Sequence, residues 1–200
     1  MTELIEQLDA WDRQAFLAIN AIHSPQFDPV MVVISEMLTW FPLYAFLLFI
    51  LQRRLGWRAL AIAVPVLAVM ILFSDKGSVI LFKENFQRLR PCHVPELEQQ
   101  VHIIGGHCGG TYGFVSSHAS NHFAIAMFMA GILAGIPRWA APLLYVWAAL
   151  VAYSRIYLGV HFPGDVLVGA LYGLLIGWLF LQLYRWVLHR SETSGTNFVT

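Results

Sequence analysis

Residues 57–73 of the chain read WRALAIAVPVLAVMILF, an apolar stretch with one charged side chain, Arg58. It opens a longer apolar run, 57–82, and four similar runs cover 30–51, 119–136, 139–157 and 166–188. A helix needs roughly 20 apolar residues to cross the hydrocarbon core of a bilayer. Membrane-spanning strands would need alternating polarity and a closed barrel, and these runs do not alternate. The sequence therefore predicts an all-α integral membrane helical bundle with about five transmembrane helices.

The composition supports this fold class. Of 200 residues, 58% are hydrophobic and 12% are charged, whereas about a quarter of a soluble protein is charged. The 12 basic and 12 acidic side chains cancel, so we expect no nucleic-acid partner. We expect a single domain over residues 1–190 and a polar C-terminal tail over 191–200. Nothing in the sequence indicates a particular oligomeric state.

The segment before the first span, residues 1–27, has apolar side chains at helical spacing. They are Leu4, Ile5, Leu8, Trp11, Ala15, Ile19 and Ile22, and the acidic residues Glu3, Glu6, Asp9 and Asp12 lie off this stripe, as does Arg13. The pattern predicts an amphipathic helix in the membrane interface. A helix packed on the edge of the bundle is the alternative, and both can hold. A cleaved signal peptide is not expected, because its basic start and uninterrupted apolar middle are missing.

The arginines predict the orientation. They fall between the first two spans, between the third and fourth, and at the end of the fifth, at Arg53, Arg54, Arg58, Arg138, Arg185 and Arg190. By the positive-inside rule this side is cytoplasmic. The long loop 83–118 and the short loop 154–165 then share the outer surface.

Three polar segments of that surface suggest a phosphate site. They read KENFQRLRP over 83–91, VSSH over 115–118 and SRIYLGVHFPGD over 154–165. A phosphoryl group in transfer needs planar cationic donors and a helix N-terminus. Arg90 and Arg155 supply the planar donors and Lys83 a point charge, and the backbone amides near Ser116, Ser117 and His118 supply the helix end. Singly, each cation could be snorkelling and each histidine could bond a backbone carbonyl.

Two histidines provide the remaining chemistry. His161 has Asp165 four residues later, across a Pro-Gly turn, so the carboxylate can hold one ring nitrogen while the other attacks phosphorus. His118 is then the acid that protonates the leaving oxygen.

These segments resemble the signature of the type 2 phosphatidic acid phosphatase (PAP2) superfamily of membrane lipid phosphatases. Lys83 to Pro91 and Ser154 to Asp165 match the first and third family motifs in full. The middle Pro-Ser-Gly-His motif matches only at Ser116 and His118, with Val115 and Ser117 in the other two positions.

The resemblance implies a role for each matched position. His161 would form a phosphohistidine, Asp165 would orient it, and His118 would be the acid. The phosphate would be held by Lys83, Arg90, Ser116, Ser117 and Arg155. Neither a metal nor another cofactor is implied.

The implied activity is a metal-independent bacterial lipid phosphatase in the inner membrane, with its active site facing the periplasm or cell exterior. Its partners would be the membrane and a lipid phosphate substrate, for which undecaprenyl diphosphate is our first expectation. Phosphatidylglycerol phosphate, phosphatidic acid and lipid A phosphates are the alternatives within the family. A channel or transporter is the alternative of another class. It would need polar residues through several spans, and the spans lack these outside Glu36 and the Asp75–Lys76 pair. Vanadate-bound peroxidase chemistry would suit the same pocket but not this membrane chain.

The fifth span carries a small-residue stripe, Gly169, Gly173 and Gly177, that allows close helix packing. We expect the third span to meet it through one i, i+4 line, which comprises His118, His122, Ala126, Ala130 and Ala134. This packing would bring His118 beside His161. Glycine and alanine are also simply frequent in transmembrane helices, which is the alternative explanation.

Asp75 and Lys76 interrupt the second span, where a charge should be paired in the bundle interior. We slightly favour structural pairing, with groups such as Glu36, over a place in the lower wall of the headgroup pocket. We also expect Lys76 and Lys83, seven residues apart, to share one helix face.

Cys92 and Cys108 both lie in the outer loop. In an oxidising compartment a disulfide between them would brace the segment that holds Arg90. A metal site with His93, His102 and His107, or a pair of free thiols, is the alternative. We favour the disulfide because no closely spaced Cys-x-x-Cys pair is present.

Overall fold

The computed structural model describes residues 2–106, 108–133 and 140–196. Within these ranges it is almost entirely helical and contains no strand, so the all-α prediction is confirmed. The helices are α1 (Thr2–Asn20), α2 (Asp28–Ser35), α3 (Phe41–Gly77), α4 (Glu84–Phe86), α5 (Ser117–Ile132), α6 (Ala140–Tyr157) and α7 (Pro163–Thr196). Short 3₁₀ turns lie at Met37–Trp40, Pro91–His93 and Pro95–Leu97, and a π-helical turn at Ser78–Lys83.

Helix α3 contains two of the expected spans. Its backbone leaves the helical region at Gly56, where φ is 83° and ψ is 175°, a conformation that suits glycine. Leu48 before the break and Val64 after it line one apolar cavity of about 250 Å³, so the chain reverses at Gly56 and its two arms pack side by side. The first arm begins later than the sequence predicted, because residues 30–40 form α2 and a 3₁₀ turn.

The helical stretches Met37–Phe86, Ala140–Tyr157 and Pro163–Ser191 are each long and apolar enough to cross a membrane. The first holds both arms of α3. Together with α5, the third expected span, they account for the five predicted spans. Of the end of the third expected span, residues 133–136, the structure describes only Leu133. Arg138 and residues 197–200 of the tail also lie outside the described residues.

Helix α5 lies at the centre of the bundle and packs parallel to α7. The carbonyls of Ser116, Ser120 and Ala124 lie so close to Gly169, Gly173 and Gly177 that a β-carbon on any of these glycines would collide with them. The pairing expected from the glycine stripe is therefore confirmed.

The face of α5 that we predicted for this pairing is wrong. Its serine and alanine line faces the glycines, and His122 instead packs against Trp147, with ring centroids 5.0 Å apart. The small side chains let two backbones touch, which an imidazole would prevent. The histidines are thereby turned away from α7.

Helix α1 presents its apolar stripe outward. Leu4, Ile5, Leu8 and Trp11 are each more than half exposed, whereas Phe16 and Asn20, further along the helix, are buried. The Asn20 amide donates to the carbonyl of Tyr157 at 2.8 Å and so ties the end of α1 to α6. The helix thus packs on the bundle edge and keeps an apolar face suited to a membrane surface. Asp9 and Asp12, which lie off this stripe, accept hydrogen bonds from Arg88.

Candidate active site

A cavity of about 390 Å³ lies at the end of the bundle where α5 and α7 begin, which we call the outer end. It brings together residues of all three polar segments: Lys83, Arg90, Ser117, His118, Arg155 and His161. Its wall also includes Met37, Asp75, Val79, Gly109, Asn121 and His122. Asp165, fully buried, lies directly behind His161. Lys83 and His161, which are 78 residues apart in the chain, therefore meet in one site.

Lys83 reaches the cavity from the last position of the π-helical turn Ser78–Lys83. Its ammonium donates to the Ser117 hydroxyl at 2.9 Å, and the Ser78 hydroxyl lies 2.6 Å from the same oxygen. A π turn is wider than an α turn and changes the direction of the residues that follow it. This local geometry joins the first polar segment to the start of α5.

Arg90 and Arg155 bring two guanidinium groups to the cavity. One Arg90 nitrogen lies 3.3 Å from His161 Nε2 and donates to the Val160 carbonyl at 3.4 Å. Arg155 donates to the Ser35 hydroxyl. The buried Nε atoms of both arginines have no hydrogen-bond partner in the described part of the chain. Within the same residues, Arg90, Arg155 and Lys83 form no ion pair with a carboxylate. Positive charge gathered without a paired carboxylate favours binding of an anion.

His161 is almost completely buried on the short connection between α6 and α7. Its Nδ1 lies 3.5 Å from Asp165 Oδ2, and that oxygen accepts a 3.0 Å hydrogen bond from the Phe162 amide. Burial, followed by the charges of Arg90, Arg155 and Lys83, holds the pKa of His161 well below its usual value. The ring is therefore neutral at pH 7, with its proton on Nδ1 facing Asp165 when Nε2 accepts from Arg90. An unprotonated ring nitrogen of this kind has the chemistry of a nucleophile for phosphoryl transfer.

Ser116 has a different position from the one we predicted. Its hydroxyl accepts a 3.4 Å hydrogen bond from the Ala119 amide as the N-cap of α5, and its own amide donates to the Asp165 carbonyl at 3.0 Å. The side chain is fully buried and does not line the cavity. This side chain starts the helix that carries Ser117 and His118 into the cavity. A role of Ser116 in holding the phosphate stays a prediction.

Asp75 and Lys76 do not behave as a structural pair. Asp75 lines the cavity and accepts a 3.5 Å hydrogen bond from the Asn121 amide, whereas Lys76 is exposed. In the described part of the chain neither forms an ion pair with Glu36. The pairing that we favoured is wrong, and the alternative placement in the pocket wall holds for Asp75. Lys76 and Lys83 do not share the cavity, since the π turn between them breaks the seven-residue repeat.

Cys92 and Cys108 form a disulfide with their Cα atoms 6.0 Å apart, which confirms the favoured prediction. His93 lies beside them, but both sulfurs are bonded to each other and cannot ligate a metal as thiolates. His102 belongs elsewhere: its Nε2 lies 3.1 Å from Asp28 and its ring stacks on His23. His107 lies outside the described residues.

The sequence argument missed Arg88, Asn121 and His122 as neighbours of the site. Arg88 stands inside the first polar segment but was given no role there. Asn121 and His122 follow Ser117 and His118 by one helical turn, so the i, i+4 spacing was the available signal.

Comparison with known proteins places this geometry in a family. Residues 59–188 match the model of the PAP2 superfamily. The chain belongs to the PAP2 superfamily. Two relatives are lipid A 4'-phosphatases: that of Bacteroides thetaiotaomicron is 37% identical, over 96% of this chain and 84% of the relative, and that of Porphyromonas gingivalis is 35% identical, over 93% and 77%. An undecaprenyl-diphosphatase of Sulfolobus acidocaldarius is 26% identical, over 89% of this chain and 81% of the relative.

The fold agrees with a solved PAP2 structure. A PAP2 type phosphatidylglycerolphosphate phosphatase from Bacillus subtilis superposes with a TM-score of 0.64 at 25% identity, over 88% of this chain and 86% of that chain. The protein is thus a membrane phosphatase that hydrolyses phosphate esters of lipids. Family membership rules against the channel or transporter interpretation.

Proposed function

We propose that this PAP2 phosphatase hydrolyses a phosphate monoester of a lipid A type glycolipid at the outer face of a bacterial inner membrane. The observation that carries the proposal is the cavity in which Lys83, Arg90 and Arg155 surround the neutral, Asp165-backed ring of His161. The two relatives at 37% and 35% identity support lipid A as the substrate ahead of undecaprenyl diphosphate, our first expectation, for which one named hydrolase is 26% identical and one putative hydrolase is 31% identical.

The proposed reaction uses the side chains that line the cavity. The Nε2 lone pair of His161 attacks phosphorus, and the bond from phosphorus to the sugar oxygen breaks. The leaving oxygen keeps the electron pair of the broken bond and takes a proton from His118. Water then attacks the phosphohistidine and gives its proton to His118, which releases inorganic phosphate and restores His161. Lys83, Ser117, Arg90 and Arg155 stabilise the charge on the transferring oxygens.

The outer-face orientation is supported by the arginines. Arg53, Arg54 and Arg58 surround the reversal at Gly56, where the second arm of α3 begins, and Lys83 follows the other end of that arm. By the positive-inside rule the Gly56 end faces the cytoplasm, and the cavity then faces the periplasm or cell exterior. A disulfide in the loop beside the cavity agrees with an oxidising compartment.

A substrate panel tests the proposal. Purified protein in detergent is given lipid A, undecaprenyl diphosphate, phosphatidylglycerol phosphate, phosphatidic acid or an aryl phosphate, and phosphate release is measured as kcat/KM. We expect the highest kcat/KM with lipid A, and mass spectrometry of the product should show loss of the 4'-phosphate. A higher kcat/KM with undecaprenyl diphosphate, or with either glycerophospholipid, would overturn the lipid A assignment.

A further inference from the structure

Arg88 lies between the catalytic carboxylate and the N-terminal helix. One of its terminal nitrogens donates to Asp165 Oδ1 at 2.8 Å and to Asp12 Oδ2 at 2.8 Å, and the other donates to Asp9 Oδ1 at 2.7 Å. The guanidinium is also stacked on the Phe162 ring, 4.3 Å from its centroid. A single planar group is thus held by three carboxylates and an aromatic face.

Asp12 is tied to the same region by a second bond. Its Oδ1 accepts from the Gly164 amide at 2.7 Å, at the beginning of α7 and one residue before Asp165. A β-carbon at Gly164 would lie 2.6 Å from the Asp12 carboxylate, so this approach requires glycine. Helix α1 therefore holds both the arginine that contacts Asp165 and the backbone that carries it.

Asp165 has two oxygens with separate partners. Oδ1 takes the Arg88 bond, and Oδ2 takes the Phe162 amide and faces His161 Nδ1 at 3.5 Å. If the Arg88 bond is lost, the carboxylate can rotate about its side-chain bonds, and the orientation of the His161 ring is no longer fixed. A misplacement of about 1 Å caused by a distant change can cost on the order of 100-fold in rate.

We propose that Arg88, anchored by Asp9 and Asp12 of α1, is a positioning residue that orients Asp165 and through it His161, so that the N-terminal helix is a structural part of the active site. Leu4, Leu8 and Trp11 of the apolar stripe are exposed, so one helix can contact a lipid surface and also hold the catalytic carboxylate. This inference rests on the proposed transfer through His161 and not on which lipid carries the phosphate.

The test uses full-length protein and an aryl phosphate substrate as well as lipid A. Arg88→Gln removes the forked donor, Arg88→Lys keeps the charge, and Asp12→Asn weakens the anchor. Glu6→Gln is the matched control, because it changes an exposed carboxylate of the same helix. We expect kcat to fall about 10- to 100-fold for Arg88→Gln, with KM changed less than about twofold. Arg88→Lys should recover part of that loss, Asp12→Asn should lose about 10-fold, and Glu6→Gln should match the wild type.

A second measurement separates positioning from a general effect on folding. Single-turnover rates of phosphoenzyme formation are measured with and without Arg88→Gln in two backgrounds, the wild type and Asp165→Asn. Because Arg88 acts through Asp165, its replacement should have little further effect once Asp165 is changed. An equal fall in both backgrounds, a wild-type kcat in Arg88→Gln, or a rise in KM alone would overturn the inference.

Variants that fail to fold are recognised by size-exclusion chromatography. If Arg88→Gln is among them, Arg88→Lys and Asp12→Asn decide the question by the same split between kcat and KM. The proposed function fails differently: the wild-type protein would then release no phosphate from the lipids or the aryl ester.

Discussion

The disulfide between Cys92 and Cys108 connects the two chain segments that hold Arg90 in the cavity. Arg90 is two residues before Cys92. Gly109, the residue after Cys108, lies so close to Arg90 that a β-carbon on it would be 3.5 Å from the Arg90 guanidinium. Replacing both cysteines with alanine removes this connection without adding a charge. We expect the variant to fold and to bind its substrate more weakly.

The magnitude follows from the length of the closed loop. The cysteines are 16 residues apart, and a bridge closing a loop of this size contributes about 3 kcal/mol by restricting the open chain, or about 150-fold in the equilibrium. Without the bridge, two backbone hydrogen bonds still join the segments, from the Arg90 amide to Thr111 and from the Gly113 amide to Arg88. Each is worth roughly 1 kcal/mol. We therefore expect the apparent affinity for the substrate to fall about 10-fold, which is less than the bridge's full contribution of about 150-fold.

The loss should appear in KM. Bound phosphate draws Arg90 back into place, so the substrate competes with loop opening and its apparent affinity falls with the closed fraction. KM should rise about 10-fold and kcat should stay within about twofold of the wild type. Wild-type protein reduced with a membrane-permeant thiol is the control and should behave like the double variant.

Two outcomes would refute this reasoning. One is a double variant with unchanged KM, and the other is a loss confined to kcat. A thiol count comes first: maleimide should label no cysteine in the denatured, unreduced protein isolated from an oxidising compartment, and both after reduction, since the chain has only these two.

Further predictions concern the chemistry and the helix packing. Activity should survive excess EDTA and be inhibited by vanadate, a mimic of five-coordinate phosphorus; loss on chelation that magnesium or zinc restores would contradict this. His161→Ala should abolish turnover and any acid-quenched phosphoprotein, whereas His118→Ala should lose about 10²- to 10⁴-fold with lipid substrates and much less with an aryl phosphate; a phosphoenzyme retained only by His161→Ala would reverse the roles. Because the pKa of His161 is lowered, its ring stays neutral as the pH falls below 6.5. After correction for the substrate's own ionisation, kcat/KM should show no acidic inflection between pH 5.5 and 7, and an inflection near 6.5 that is absent from the substrate titration would contradict it. Gly173→Val should destabilise the protein by about 1–3 kcal/mol in thermal unfolding, because its side chain would collide with the Ser120 carbonyl, and Gly110→Ala, with open space around it, is the control; equal unfolding temperatures would contradict the packing.

Much of the site could be predicted because its residues are fixed by short spacings. Asp165 follows His161 by four residues, and Ser117 and His118 begin a helix, so local geometry already limits where they can point. The pairing of the third and fifth spans was also predictable, since the glycine stripe allows only a close partner.

The errors have physical causes in tertiary contacts. The face of α5 was wrong because two small-residue lines exist on that helix, and only contact with α7 selects the one that contains Ser120. The contact of Asp9 and Asp12 with the bundle was not predicted, because amphipathicity shows only that a carboxylate lies off the apolar stripe. Their partner Arg88 is more than seventy residues away in the chain, and no local pattern reports a pairing at that distance.

The π-helical turn Ser78–Lys83 has a consequence for how this gene can change. A π turn equals an α turn with one residue inserted, and removing that residue would rotate everything beyond it by about 100° around the helix axis. Lys83 would then leave the cavity although every motif residue was still present. Substitutions at the exposed Ile80 or Leu81 should be tolerated, while a one-residue deletion beside them should inactivate the protein. In this segment the number of residues therefore matters more for the site than the identity of the exposed side chains.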